Sequence, residues 1–464
     1  MKKRMYKIMA LAMTAAMVVP MAAQTTAFAA DDKEITYWNI AVESPDKDIV
    51  TAAVDKFNKE TKSGYTVNQV AIQNDTYKEK LVIAMSSGEC PDMYSSWSGG
   101  PMYEYIDSGF AQPIDDLLDQ SDIKDKLLDA AIEQGSYNGH VYAIPYLNVS
   151  LAGIFYNKDM FKQYGLEEPK TLADLENICA TLKENGITPF ALANGSKWTG
   201  SMYFMSLAAR YGGLEPFQNA VAGTGKFTDD CFIKAGEKIQ EWVNNGYFPD
   251  GVNSLSEDDG QAKQLMYQET AGMLLCGSWY TGTFQTDSEE FYQKIGWFPF
   301  PAIDDSDADP TIQIGTVGDQ FISFNCEGDK LAAAFECATD HLSDEVEDMI
   351  YSTGKIAPVK DAKDHIKDPV VKEIFDAAQE APSIQLWYDQ YLPTSVATAH
   401  LDGLQEVFGL TKTPQEAQEE MQKAMDEYLS NKKSDSGAAD DTAEEATDDA
   451  AAEEATDDAA DDAK

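Results

Sequence analysis

Seven tryptophans are spread along this chain, and four of them stand beside turns that also carry polar residues. Trp97 closes the run CPDMYSSW, Trp198 lies in the polar loop NGSKWTG, Trp279 ends GMLLCGSW, and Trp387 opens WYDQY. An indole face packs on C–H groups, while neighbouring Asp, Glu and Asn side chains take hydroxyls. Together such residues do noncovalent chemistry on a neutral, hydroxyl-bearing molecule. Position alone makes Trp97 and Trp198 candidates, weighed against structural roles. Asp319, in VGDQF, and Glu43 join them as hydroxyl acceptors, with Tyr146 and Asn148 near a chain crossing, where hinge packing explains Tyr146 almost as well. Trp38 alternates with Tyr37 inside a strand pattern and reads as core, as do Trp242 and Trp297.

Other chemistries find little support. The four histidines (140, 341, 365 and 400) share no metal-ligand spacing, so neither a metal nor a cofactor is expected. Six cysteines lie far apart without a C-x-x-C pair and read as buried thiols. No nucleophile elbow or phosphate loop appears. A glycoside hydrolase would need two carboxylates across a scissile bond. Eighty acidic residues guarantee such pairs by chance, so their presence argues for nothing. The formal charge of −45 excludes nucleic acid and anionic membrane surfaces as partners. Beyond residue 29 the only arginine is Arg210, so a ligand gripped by guanidinium forks is disfavoured and a neutral one expected.

The elements that must position these residues alternate. Glu34 to Ile40 reads as a strand, Asp48 to Lys62 as an amphipathic helix, Tyr65 to Ile72 as a strand and Thr76 to Ser87 as a helix closed by Gly88. With a strand ending at Trp97, this β-α-β-α-β order predicts a parallel sheet whose carboxyl rim carries Asn39 to Glu43 and Trp97. Val141–Tyr146 and Leu151–Tyr156 follow as extended runs. A helix then stops at Gly165, and Thr171 caps the next, which carries Leu172, Leu175, Ile178 and Leu182 inward to Gly186. Later runs include strands at Gly272–Cys276, Ile295–Phe300 and Gln320–Phe324. A final helix opens with the capping box Thr413-Pro414-Gln415-Glu416.

Several phrases in order carry a resemblance: YAIPY, FYNKDMF, GLEEPKTLADL, NGITPF, then AGMLLCGSW, WFPFP and WYDQYLP. They resemble the extracellular solute-binding proteins of family 1, the sugar-capturing subunits of ABC importers, over most of residues 33–430. The resemblance implies a periplasmic-binding-protein-like type II fold, in which two α/β lobes joined by crossing hinge segments close on a ligand. It implies lobes of 30–147 plus 311–352 and of 148–310 plus 353–433. It implies that Trp279 and Trp387 stack on a sugar and that Asp389 accepts a hydroxyl. Several tryptophans suggest an oligosaccharide. The expected function is delivery of that carbohydrate to an ABC permease by a monomer that is not an enzyme. A secreted glycoside hydrolase and a cell-wall adhesin are the alternatives.

The two ends depart from the globular composition between them. Lys2, Lys3, Arg4 and Lys7, the apolar run Ile8–Val19 and Ala27-Phe28-Ala29 form a signal-peptide pattern over 1–29. An exported protein without membrane insertion is expected, extracellular or at the cell surface. The first cysteine is Cys90, so no lipobox cysteine follows that signal. Residues 434–464 hold no apolar side chain larger than alanine and repeat EEATDDAA, which predicts a solvated, disordered acidic tail.

Overall fold

The computed structural model describes residues 33–432, and the expected signal segment and acidic tail lie outside the described residues. The first layer builds as the alternation predicts. Strand Glu34–Asn39 (β1) buries every second residue, Ile35, Tyr37 and Asn39. Helix Asp46–Glu60 (α1) covers it with Ile49, Val50, Ala53, Val54 and Phe57. Thr66–Ala71 (β2), helix Asn74–Ser87 (α2), Met93–Ser96 (β3), helix Gly100–Asp107 (α3) and Ala143–Tyr146 (β4) continue the layer. Gly88 ends α2 at φ 74°, a conformation glycine takes without a Cβ penalty.

The chain then crosses to a second sheet. Ser150–Asn157 (β5) is buried at all eight positions, as is usual for a central strand. Leu172–Glu184 (α4) starts with a capping box between Thr171 and Asp174. Thr188–Phe190 (β6), Trp198–Gly212 (α5), Asp230–Asn244 (α6), Gln261–Tyr267 (α7), Ala271–Gly277 (β7), Ile295–Phe298 (β8) and Gln313–Thr316 (β9) follow. Gln320–Phe324 (β10) returns to the first sheet, with Gly328–Asp340 (α8) and Asp344–Ser352 (α9) behind it. Pro369–Glu380 (α10), Ile384–Gln385 (β11), Tyr388–Tyr391 (α11) and Thr394–Phe408 (α12) close the second lobe. A last helix spans 414–432, its start capped by mutual hydrogen bonds between Thr413 and Glu416.

The strand orders are β2-β1-β3-β10-β4 and β11-β9-β5-β7-β6, with β8 also on β5. Strands β1, β2 and β3 are parallel, and β10 runs antiparallel between β3 and β4. One boundary differs from the expected lobes. Gly315 and Thr316 pair with Leu151 and Ser150, so Gln313–Thr316 belongs to the second sheet although 311–352 was expected in the first lobe. Hydrogen bonding to β5 decides it, and the return crossing lies at 317–319. Residues after 353 also stay with the first lobe for a stretch, because Leu128 N–H bonds the Pro358 carbonyl at 3.0 Å and Leu127 bridges Val359.

Both crossings and the segment around Ile356 meet at Asn148. Its carbonyl accepts from Asp319 N–H at 2.7 Å, its side-chain Oδ1 accepts from Ile356 N–H at 2.8 Å, and Val149 N–H reaches the Ile356 carbonyl at 2.6 Å. The hinge is thus a three-stranded bundle. Among the described residues, no helix is long and apolar enough to cross a membrane.

Candidate ligand-binding cleft

Four tryptophans converge between the lobes. Trp97 stands at the carboxyl end of β3, with Tyr77 edge-on to it at 5.9 Å and the Lys78 ammonium 5.1 Å from its ring centre. Trp279 follows β7, and its indole folds back over Gly277, where any Cβ would collide with the ring. Trp198 begins α5 and Trp387 precedes α11. The Trp279 ring centre lies 6.0 Å from those of both Trp198 and Trp387, at tilts of 57° and 69°. These three rings form one aromatic cluster on the second lobe, with Trp198 and Trp279 half-buried and Trp387 only 2% exposed, and Trp97 lines the same cavity from the first.

That cavity has a volume of about 180 Å³. Its polar groups are Asp46, Asn74, Lys78, Glu257, Asp319, Gln320, Asp389 and Gln390. Burial pushes the Asp319 carboxyl up to about 7, partly opposed by Lys355 and reinforced by Asp46. Burial likewise raises Glu257 to about 7 against the hydrogen bond it takes from the Tyr280 hydroxyl. Near neutral pH each is therefore present in both protonation states, so each can donate or accept toward a hydroxyl. Polar contacts that span the lobes beside the cavity include Lys78 Nζ to Asp389 Oδ2 at 3.2 Å, Trp198 Nε1 to Asp75 Oδ1 at 3.3 Å and Asp75 N–H to Asp258 Oδ2 at 3.0 Å.

The structure brings Trp97, Trp198, Trp279, Trp387, Asp319 and Asp389 into this one cavity. Glu43 sits at its outer mouth, exposed and 3.4 Å from Lys263. Tyr146 and Asn148 do not reach the cavity surface. Tyr146 is fully buried behind it, where its hydroxyl donates to Gln320 Oε1 at 2.9 Å, and Asn148 holds the Asp319 backbone. Trp242 and Trp297 are core, the latter packed over Gly153. Trp38 is half-buried in a small cluster with Tyr77. Asp46, Asn74, Lys78, Glu257, Gln320 and Gln390 carried no signal. Gln320 opens strand β10 and the others sit in ordinary helical or acidic stretches, and only the lobe-to-lobe pairing exposes their position. Arg210 is buried away from the cleft, donating to the carbonyls of Phe300 and Ile312. Among the described residues no three His, Cys, Asp or Glu side chains are placed to hold a metal ion.

Over residues 41–338, well more than half its length, the chain matches the family described as bacterial extracellular solute-binding proteins. It belongs to that family. An uncharacterized ABC transporter extracellular-binding protein of Pyrococcus horikoshii is 32% identical over 228 residues, 48% of this chain and 50% of that protein. The chain thus spans about half the length of the curated relatives it matches. A solved structure from work on xylan utilization by the thermophilic bacterium Caldanaerobius polysaccharolyticus superposes with a TM-score of 0.77 at 29% identity, covering 84% of this chain and 99% of that one. A chitin oligosaccharide binding protein gives the same TM-score at 24% identity, over 85% and 98%, and speaks for the fold alone. This solute-binding protein therefore has the two-lobed type II architecture, with its tryptophans gathered where the lobes meet.

Proposed function

We propose that this solute-binding protein captures a neutral oligosaccharide between its lobes and hands it to an ABC permease as an exported monomer, without chemical turnover. The carrying observation is the cluster Trp198–Trp279–Trp387 with Trp97 in the same cavity. Aromatic faces give the sugar's C–H surfaces a platform. Asp319, Glu257, Asp389 and Asn74 then meet its hydroxyls. No arginine lines the cavity, and the three lysines of the cavity and its mouth are already engaged by carboxylates, Lys78 by Asp389, Lys355 by Asp46 and Lys263 by Glu43 and Asp287. An anionic ligand would lack a free partner. Closure is a population shift driven by contacts that exist only when both lobes touch the ligand. The signal pattern over 1–29 supports export.

The test is a calorimetric and tryptophan-fluorescence screen against neutral oligosaccharides derived from xylan, chitin and starch, with uronic-acid oligomers beside them. Saturable binding of one neutral class without release of shorter sugars is expected. Binding confined to the acidic oligomers, or steady release of shorter products at catalytic protein concentrations, sinks the proposal.

A further inference from the structure

The cleft is open at one end and shut at the other. Its open end is a polar mouth of about 200 Å³ that includes Glu43, Ser44, Asp258, Gly260 and Lys263, with the exposed Glu43 3.4 Å from Lys263 across it. The shut end is built from backbone. Gly99 and Gly100, two and three residues past Trp97, meet Gln390, Tyr391 and Leu392, which follow Asp389 on the other lobe. A Cβ on Gly99 would stand 2.5 Å from both the Gln390 carbonyl oxygen and Tyr391 Cα, and one on Gly100 would collide with the Leu392 carbonyl. One turn along α3, Glu104 locks the seam by accepting from Thr394 N–H at 3.0 Å and from its hydroxyl at 2.6 Å. A separate groove lined by Ser98, Tyr103, Leu386 and Tyr391 lies beyond it. The seam is therefore a partition between two interlobe spaces, made thin by two residues without side chains.

We infer that this glycine seam makes the site one-ended: the protein grips one terminus of an oligosaccharide against Gly99–Gly100, and the rest of the chain leaves past Glu43 and Lys263. The inference rests on the oligosaccharide reading above. Trp97, Trp387 and Asp389 flank the seam in sequence and line the cavity, so the terminal unit has a stacking face in the half-buried Trp97 and a hydroxyl acceptor in Asp389. The mouth offers polar groups but, apart from Trp279, no tryptophan. Chain length adds affinity only until the aromatic cavity is filled.

Gly100 is the clean handle on the seam. Its backbone lies outside the left-handed region, unlike Gly99 at φ 113°, and it occupies the first turn of α3, where alanine is the better helix former. Gly100→Ala therefore leaves each lobe intact and wedges only their contact.

Xylotetraose, chitotetraose and maltotetraose are each prepared untagged, with a bulky ring-preserving aglycone at the reducing end, and with a block of similar size at the non-reducing end. For the sugar that binds untagged, one tag is expected to weaken binding about a hundredfold while the other leaves Kd within about threefold. Tolerance of both tags, or exclusion of both, overturns the one-ended site while leaving sugar capture standing. Failure of every untagged sugar in the full oligosaccharide panel overturns the oligosaccharide reading itself. Gly100→Ala is expected to keep its unliganded melting temperature and to reduce the tag asymmetry to less than about tenfold. Full asymmetry in a folded Gly100→Ala protein removes the seam from the explanation. If that variant does not fold, the wild-type tag pair decides alone.

Discussion

Trp279 owes its place to its neighbour. Because Gly277 has no side chain, the indole folds over the end of β7 and presents its other face to the cavity, touching Trp198 and Trp387 at its edges. Truncating it removes roughly 60–100 Å² of apolar contact with a sugar, about 1.5–2.5 kcal/mol at about 25 cal/mol per Å². Trp279→Ala is therefore expected to bind the proposed oligosaccharide about ten- to seventyfold more weakly. Melting temperature and affinity measured on one preparation separate this from a core role. A sharp loss of stability with unchanged affinity in the remaining folded protein would place the ring in the core. Gly277→Ala gives a second check, since it displaces the same ring without removing it, and weaker binding is expected there too.

At the scale of elements, the hinge depends on one side chain. Asn148 Oδ1 holds Ile356 N–H inside the three hinge segments, where water has no access. Asn148→Ala leaves that donor buried without a partner, so a loss of about 1–3 kcal/mol is expected in urea unfolding. A loss below about 0.5 kcal/mol would mean that the crossings hold without it. Local elements such as this are where the sequence was most legible. Capping at Thr171, the glycine stops at Gly88 and Gly165 and the inward faces of α1 and α4 all follow from nearest-neighbour chemistry, and all are present. The four turn-borne tryptophans were visible for the same reason. What stayed hidden depends on contacts distant in sequence. Gln313–Thr316 joins the second sheet only because β5 offers it hydrogen bonds, and Leu147 turns the crossing at φ 71°, which no local pattern announces. Glu257 and Asp46 look like any other acids in a chain of eighty until the lobes bring them to one cavity.

The whole molecule balances two opposing sets of buried titratable groups. His341 is enclosed by Tyr37 and Tyr146, with Nδ1 3.0 Å from the Cys337 carbonyl, and burial lowers its pKa to about 4. His400, bonded to Ser201 at 2.7 Å, is lowered to about 3 for the same reason. As pH falls below about 6.5 the unfolded chain takes up these protons and the folded chain does not, so both histidines cost stability on acidification. Asp319 and Glu257 work the other way. Their folded pKa values near 7 lie above those of the unfolded chain, so their contribution is full in acid and is lost as pH rises through about 7. Between pH 7 and pH 5 His341 alone is worth about 2 kcal/mol in one direction and Asp319 about 2 kcal/mol in the other. Urea unfolding of ligand-free wild type, His341→Gln and Asp319→Asn at the two pH values isolates each, since the remaining groups are common to all three proteins. Relative to wild type, His341→Gln should gain about 2 kcal/mol on going from pH 7 to pH 5, and Asp319→Asn should lose about as much. Parallel pH profiles for all three would show that neither group is held in the protonation state that its burial implies. A shift for His341→Gln alone would mean that Asp319 escapes to water when the unliganded lobes part.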